Sequence, residues 1–300
     1  MVPKIGIALG GGGARGLAHI GVLKVLEEEG IPIHCITGTS MGAVIGALYS
    51  QNPKADEIIE KFRENLNADF YQQLGLNHLK KESAREGEFF QQALQKIKKR
   101  IVINLAMNKP AILKEVRLRE ILAKFIKPGN IEDTQIPLGI VSTSLQSGQD
   151  ILFRTGNIID ALTASSSIPG FFSPTSVSDD LLTDGAVSCP VPVQFLTEMG
   201  AELTIGVEIN LHHFAPIKEL NIIEIMTRVN LITSRNLAHL MVNKADLAIC
   251  PDTKDIQWSH FSRAEELIEA GIQITKAKMP ELHEIIRKKY PWYKRVFLQI

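Results

Sequence analysis

The chain has little of what would commit it to a membrane span, a disulfide scaffold or a polyanionic partner. Its 300 residues include three cysteines and 6% aromatics, and 33 basic residues balance 33 acidic ones. No apolar run approaches ~18 residues, so no transmembrane helix is expected. Cys35, Cys189 and Cys250 are odd in number and far apart, which suits neither paired disulfides nor paired zinc ligands. Reduced thiols follow. A neutral total argues against a surface built for nucleic acid. Met1 to Leu9 is too short an apolar stretch for a secretory leader, so a cytoplasmic location is expected. What is present is 45% hydrophobic residues in a chain long enough for a sizeable core, which excludes disorder as the main state.

The charge is segregated although it sums to zero. Leu94 to Lys127 holds ten basic residues against two acids, and Lys276 to Ile300 holds seven against two, together with Tyr290, Trp292, Tyr293 and Phe297. Such stretches are usually solvated helix faces, but they also allow peripheral contact with an anionic membrane at its inner face. Nothing in the sequence sets the oligomeric state.

Hydrophobic period organises the rest. Lys4–Leu9 reads as a buried strand ending in glycines, Gly16–Glu28 as a helix, Ile33–Thr37 as a second strand and Ala43–Tyr49 as a second helix. Residues 54–126 are helical and more polar, an expected insertion. Strand-like sequence returns at Pro137–Leu145 and Ile151–Arg154, then a helix at Ile158–Ser165 and a short strand at Leu181–Thr183. A helix at Val191–Met199, a strand at Leu203–Ile209, a helix at Ile222–Val242, a strand at Asp246–Cys250 and a helix at Arg263–Lys278 complete the pattern. Alternating strands and helices joined by glycine turns indicate an α/β protein with helices on both faces of a mainly parallel sheet. A single domain is expected, with a core over 5–210 and a helical extension over 220–300.

Two glycine motifs stand at the ends of the first two strands. Gly10-Gly11-Gly12-Gly13-Ala14-Arg15-Gly16 would let backbone N–H groups converge on an anion beside a helix N-terminus. Gly11, Gly13 and Gly16 also spell G-x-G-x-x-G, but a dinucleotide site wants an acid ~20 residues on, and none lies between Glu29 and Asp56. A phosphate loop wants Lys-Ser/Thr after the last glycine, where Leu17 stands. Gly38-Thr39-Ser40-Met41-Gly42 is a G-x-S-x-G between strand and helix, the setting of a nucleophile elbow. Adjacent βα loops open on one sheet edge, so donors of the first can face the hydroxyl of the second.

A serine needs a base. Among eight histidines, His19 lies inside the first helix and reads as structural, and His212 and His213 are the best histidine alternatives. Asp184, in Thr183-Asp184-Gly185-Ala186 at the end of a short strand, is the better candidate, although Asp-Gly is also a common turn. No alternating Asp/Asn run suggests calcium, and neither metal nor cofactor is expected.

Gly10 to Gly16 with Leu17 to Leu23, then Gly38 to Gly42, then Ala164-Ser165 leading to Pro169, then Asp184-Gly185-Ala186 resemble the patatin-like phospholipases, in particular their bacterial branch related to neuropathy target esterase. The likeness runs from about Ile5 to Asn210. It implies a three-layer α/β/α fold, a Ser-Asp dyad of Ser40 and Asp184, and an oxyanion hole from Gly11, Gly12 and Gly13. Gly10, Arg15, Gly16, Gly38, Gly42 and Gly185 would shape the loops or meet substrate, with Arg15 either holding its loop or meeting a lipid phosphate. The substrate implied is a lipid or other acyl ester, hydrolysed through an acyl-enzyme. A regulatory or lipid-binding protein of the same fold is the alternative. Asp-Gly-Ala replaces the usual Asp-Gly-Gly, and Ser166-Ser167 replace more apolar residues, which leaves the polarity of the pocket open.

Overall fold

The computed structural model describes residues 3–67, 70–71, 111–209, 214, 216–217 and 220–289. Five parallel strands form the heart of the sheet, in the order β10 (Leu247–Ile249), β9 (Leu203–Val207), β1 (Ile5–Leu9), β2 (Ile33–Thr39) and β4 (Leu138–Ser144). Antiparallel strands extend it: β8 (Asp180–Asp184) and β5 (Asp150–Phe153) flank β4, and β7 (Thr175–Val177) pairs with β8. A separate parallel pair joins β3 (Ala111–Leu113) to β6 (Gly170–Phe172).

Alternation along the strands sorts the two helix layers. Ile5, Ile7 and Leu9 of β1 enter the larger core with α1 (Ala18–Glu28), α2 (Met41–Gln51), α3 (Ala55–Asn65) and α8 (Ala264–Lys289). Ala8, on the opposite face, joins a smaller core with Leu196 of α6 (Gln194–Glu198) and the last turns of α7 (Ile222–Val242). That face of β2 carries Thr37 and Thr39, whose hydroxyls donate to the carbonyls of Pro192 and Cys189. The result is a three-layer α/β/α architecture with a mostly parallel sheet. The remaining helices, α4 (Glu115–Phe125) and α5 (Ile158–Ser165), pack on each other, α4 also against α3 and α5 against β4, β8 and α2.

The differences from the sequence reading have local causes. The helix expected over Val191–Met199 begins only at Gln194, because Pro190 and Pro192 disfavour helical backbone in the residues before them and the segment bends instead. The helix expected to end at Lys278 runs to Lys289 through Pro280. A mid-helix proline costs ~3 kcal/mol, and burial of Met279, Leu282 and Ile286, at ~1.5–3 kcal/mol each, outweighs it. The region expected to be a helical insertion contributes the strand Ala111–Leu113, just after Pro110.

Of the two basic stretches, residues 94–110 and 290–300 lie outside the described residues. In the described parts Arg119 pairs with Asp160, Lys278 with Glu281, Lys288 with Glu284 and Lys289 with Asp246.

Candidate active site

β2 ends at Thr39 and α2 begins at Met41, so Ser40 makes the whole turn between them, with φ 54° and ψ −124°. Positive φ is costly for a residue with a side chain, and here it lifts the hydroxyl off the end of the strand. The turn is tight enough that α2 starts two residues earlier than its hydrophobic period suggested. A Cβ on Gly38 would stand 2.5 Å from the Cα of Ala43, and one on Gly42 2.1 Å from the Leu9 carbonyl oxygen. The Ser40 N–H donates to Ser165 Oγ at 2.9 Å, and that hydroxyl donates to the Val141 carbonyl at 2.6 Å. Ser165 thereby ties the turn to β4.

Sheet register delivers the carboxylate. One edge of β4 is taken by β5; on the other, Thr39 of β2 pairs with Val141 and Asp184 of β8 pairs with the next residue, Ser142. β8 thus runs head-on toward the end of β2 and stops where β2 turns away. Ser40 Oγ donates to Asp184 Oδ2 at 2.6 Å, while Oδ1 accepts the Ala186 N–H at 2.8 Å. The small Gly185 is required, since a Cβ there would lie 2.3 Å from the Val141 carbonyl oxygen. Ser40 and Asp184 are only 4% and 5% exposed. Burial raises the carboxyl from an ordinary 3.8 to about 6, against the lowering effect of its bonds from Ser40 and Ala186.

The glycine loop lies alongside. The Cβ position of Gly11 is 3.4 Å from Ser40 Cβ and 3.1 Å from Ala186 Cβ, so a side chain there would crowd both ends of the dyad. The Gly11 N–H, expected to serve an oxyanion, instead donates to the Pro190 carbonyl at 3.0 Å. Gly10 donates likewise to Val207. Among the described residues, no backbone carbonyl outside helices and strands takes the N–H of Gly12 or Gly13. Gly13 has φ +60° and approaches the Trp258 carbonyl too closely for any side chain. Gly16 leaves room for the Met41 side chain. Arg15 Nε donates to the Gly12 carbonyl at 3.2 Å, its guanidinium is buried, and burial lowers it to about 10. It does not reach the cavity wall. Of the two roles the sequence left open, this geometry is that of a loop clamp.

His19 sits behind the loop, its Nε2–H donating to the Gly10 carbonyl at 2.8 Å. Burial lowers it to about 4, so the ring is neutral and spent on structure. His78, His212 and His213 lie outside the described residues. No group of three His, Cys, Asp or Glu among the described residues could hold a metal.

Ser40 opens into a cavity of about 670 Å³, open solvent at its mouth included. Apart from Gly13, Ser40 and Ser166 its lining is apolar, with Val44, Phe62, Leu122, Phe125, Trp258 and Phe261 prominent. Phe62 stacks on Phe125 at 4.7 Å, and Phe70 meets both Phe125 and Phe261 edge-on. Sequence reasoning missed these residues, as it missed a role for Ser165. The doubt over Ser166 and Ser167 divides between them. Ser167 Oγ donates to the Thr163 carbonyl, whereas the Ser166 hydroxyl is buried on the cavity wall without a partner among the described residues. An unmatched buried hydroxyl costs ~1–3 kcal/mol. Ser166→Ala should therefore raise stability by about 1 kcal/mol, seen as a higher thermal midpoint; a lower midpoint would mean that the hydroxyl is satisfied.

The sequence profile of the patatin-like phospholipases matches residues 7–197. An uncharacterized NTE family protein of Mycobacterium tuberculosis is 30% identical over 220 residues, covering 72% of this chain and 52% of the relative. The patatin-like phospholipase domain-containing protein 6 of Homo sapiens is 28% identical over 210 residues, covering 68% of this chain and 13% of that protein. The chain thus spans about half the length of the mycobacterial relative and a small part of the human one. Among solved structures, human GIVD cytosolic phospholipase A2 in complex with methyl γ-linolenyl fluorophosphonate aligns with a TM-score of 0.49 at 13% identity, over 96% of this chain and 59% of that one. By the extent of the profile match and the similarity to the mycobacterial protein, the chain belongs to the patatin-like phospholipase family, with NTE family proteins among its relatives.

Proposed function

We propose that the protein hydrolyses lipid carboxylic esters through an acyl-enzyme on Ser40, with Asp184 as the base. One observation carries the reading: the Ser40 hydroxyl donates to a buried carboxylate at 2.6 Å at the head of an apolar cavity. Asp184 Oδ2 takes the proton as Ser40 Oγ attacks the ester carbonyl, and the N–H groups of Gly12 and Gly13 with the N-terminus of α2 are the donors best placed for the oxyanion. Collapse of the tetrahedral adduct returns the proton from Asp184 to the departing alcohol. Water then repeats attack and collapse, releasing the acid. The aromatic cavity suits an acyl chain, whose burial gives ~0.8 kcal/mol per methylene.

A fluorophosphonate should label the wild type at Ser40 and leave Ser40→Ala untouched; labelling of both would remove the assignment. Since the base acts ionised, kcat/KM for a short-chain ester should rise with pH through an apparent pKa of about 6 and then level off. A profile flat from pH 5 to 8 would point to another base.

A further inference from the structure

Among the described residues, helix α7 is seated only by its last turns. Ala238, Met241 and Val242 are buried; the Val242 side chain meets the β9 backbone at Gly206, and His239 Nδ1 lies 3.7 Å from Glu208, just past the carboxyl end of β9. Moving toward its N-terminus, the helix therefore travels with the strand toward the sheet edge that carries Ser40, and then leaves it. From Asn221 to Leu237 no described side chain is buried. At ~1.5 Å per residue, the part from Ile222 to Leu237 reaches ~24 Å past the last seated turn.

This protruding part is apolar on its outer face. Ile222, Ile225, Met226, Val229 and Ile232 recur at helical spacing and are 76%, 41%, 54%, 48% and 38% exposed. Leu220, 83% exposed, prolongs the stripe. No acid stands on this face. Arg228 and Arg235 border it on one side, beside Glu224, each guanidinium over the ring of Phe214. Ser40 stands at the same edge, at the end of β2, whose axis is two strands or ~10 Å from that of β9 in the order β9, β1, β2.

We infer that the outer face of α7 is the surface by which the protein rests on an anionic lipid bilayer. The apolar stripe enters the acyl boundary, and the arginines sit at the level of the headgroups. The competing occupant is a second copy of the chain, but a stripe about three turns long is narrow against the ~800 Å² per partner of a standard interface. The inference deepens the lipid-ester reading and rests on it for the purpose of the contact: it brings the edge carrying Ser40 to a substrate that resides in the bilayer.

The test compares wild type with Ile225→Asp/Val229→Asp, both exposed positions away from the cavity. Three readouts are flotation with phosphatidylcholine–phosphatidylglycerol vesicles, hydrolysis of vesicle phospholipid, and hydrolysis of dissolved p-nitrophenyl butyrate. The variant should lose about tenfold or more in flotation and in vesicle hydrolysis, while butyrate hydrolysis stays within about twofold. Equal flotation of the two proteins, or no flotation of the wild type, overturns the inference. So does a wild-type dimer in sedimentation velocity that the variant dissolves while its flotation is unchanged. Failure of the wild type to hydrolyse the butyrate ester strikes the catalytic reading instead, and flotation still decides the surface.

Discussion

Asp184→Asn is expected to lose about three orders of magnitude or more in ester hydrolysis and, in the same molecule, to gain stability at neutral pH. The amide can still accept the Ala186 N–H and donate to Ser40 Oγ, so the loop geometry survives, but it cannot take the serine proton. The loss of rate should match that of Ser40→Ala closely, and the double variant should be hardly worse, because two groups that act as one step do not add. The stability gain follows from burial. The folded carboxyl titrates at about 6 against an ordinary 3.8. A carboxyl whose folded value is raised binds its proton more tightly when folded, so its contribution is fully present below pH ~4 and is lost as pH rises through ~6. Two units correspond to ~2–3 kcal/mol, which the wild type forfeits at pH 8 and the amide does not. Urea unfolding at pH 8, 6 and 4 should show the Asn variant ahead by that amount, then by less, then level. A gain independent of pH would mean that charge burial is not its source, and undiminished hydrolysis would remove Asp184 from the chemistry.

The parts of the site carried by local backbone constraints were legible in the sequence. Gly10 and Gly13, Gly38 and Gly42 around the Ser40 turn, and Gly185 beside Asp184 each leave a mark because a side chain at those glycines would strike backbone, and such positions admit few residues. What joins them was not legible. Ser40 and Asp184 meet across 144 positions because β8 occupies the edge of β4 that β2 vacates, a matter of register between strands of five and seven residues. The cavity was equally hidden: Phe62, Phe125 and the Trp258–Phe261 stretch come from three segments far apart in the chain. Their meeting is set by packing of the helix layer, not by local pattern. The Gly11 N–H shows the limit in another way, since the motif advertises a donor but not the Pro190 carbonyl that already receives it. Both proline misreadings have one root. Pro190 and Pro192 delay a short helix that has little burial to set against them, whereas the buried side chains around Pro280 carry the long helix through its proline.

Gly42→Ala should be among the most damaging single-methyl substitutions in the chain, although helix propensity argues the reverse. Gly42 lies in the first turn of α2, and alanine is favoured over glycine in a helix by ~1 kcal/mol. A Cβ there would nevertheless stand 2.1 Å from the Leu9 carbonyl oxygen and 2.6 Å from that of Gly10, both backbone atoms held in or beside β1. Neither can yield without moving the central strand, so α2 must lift by about an ångström, taking the Ser40 turn out of register with Asp184. Overpacking of this kind costs ~3 kcal/mol or more, which exceeds the propensity gain. Gly46, one turn along the same helix, provides the control. Its Cβ would meet the Ile36 Cγ2 at 3.0 Å and the tips of Leu138 and Leu9 beyond 3.4 Å, all side-chain atoms that can shift. Gly46→Ala should stay within about 1 kcal/mol of wild type, the propensity gain offsetting the crowding. Unfolding midpoints in urea measure both. If the two variants are equally stable, α2 does not press on β1 as described, and the close fit of the G-x-S-x-G turn loses its explanation.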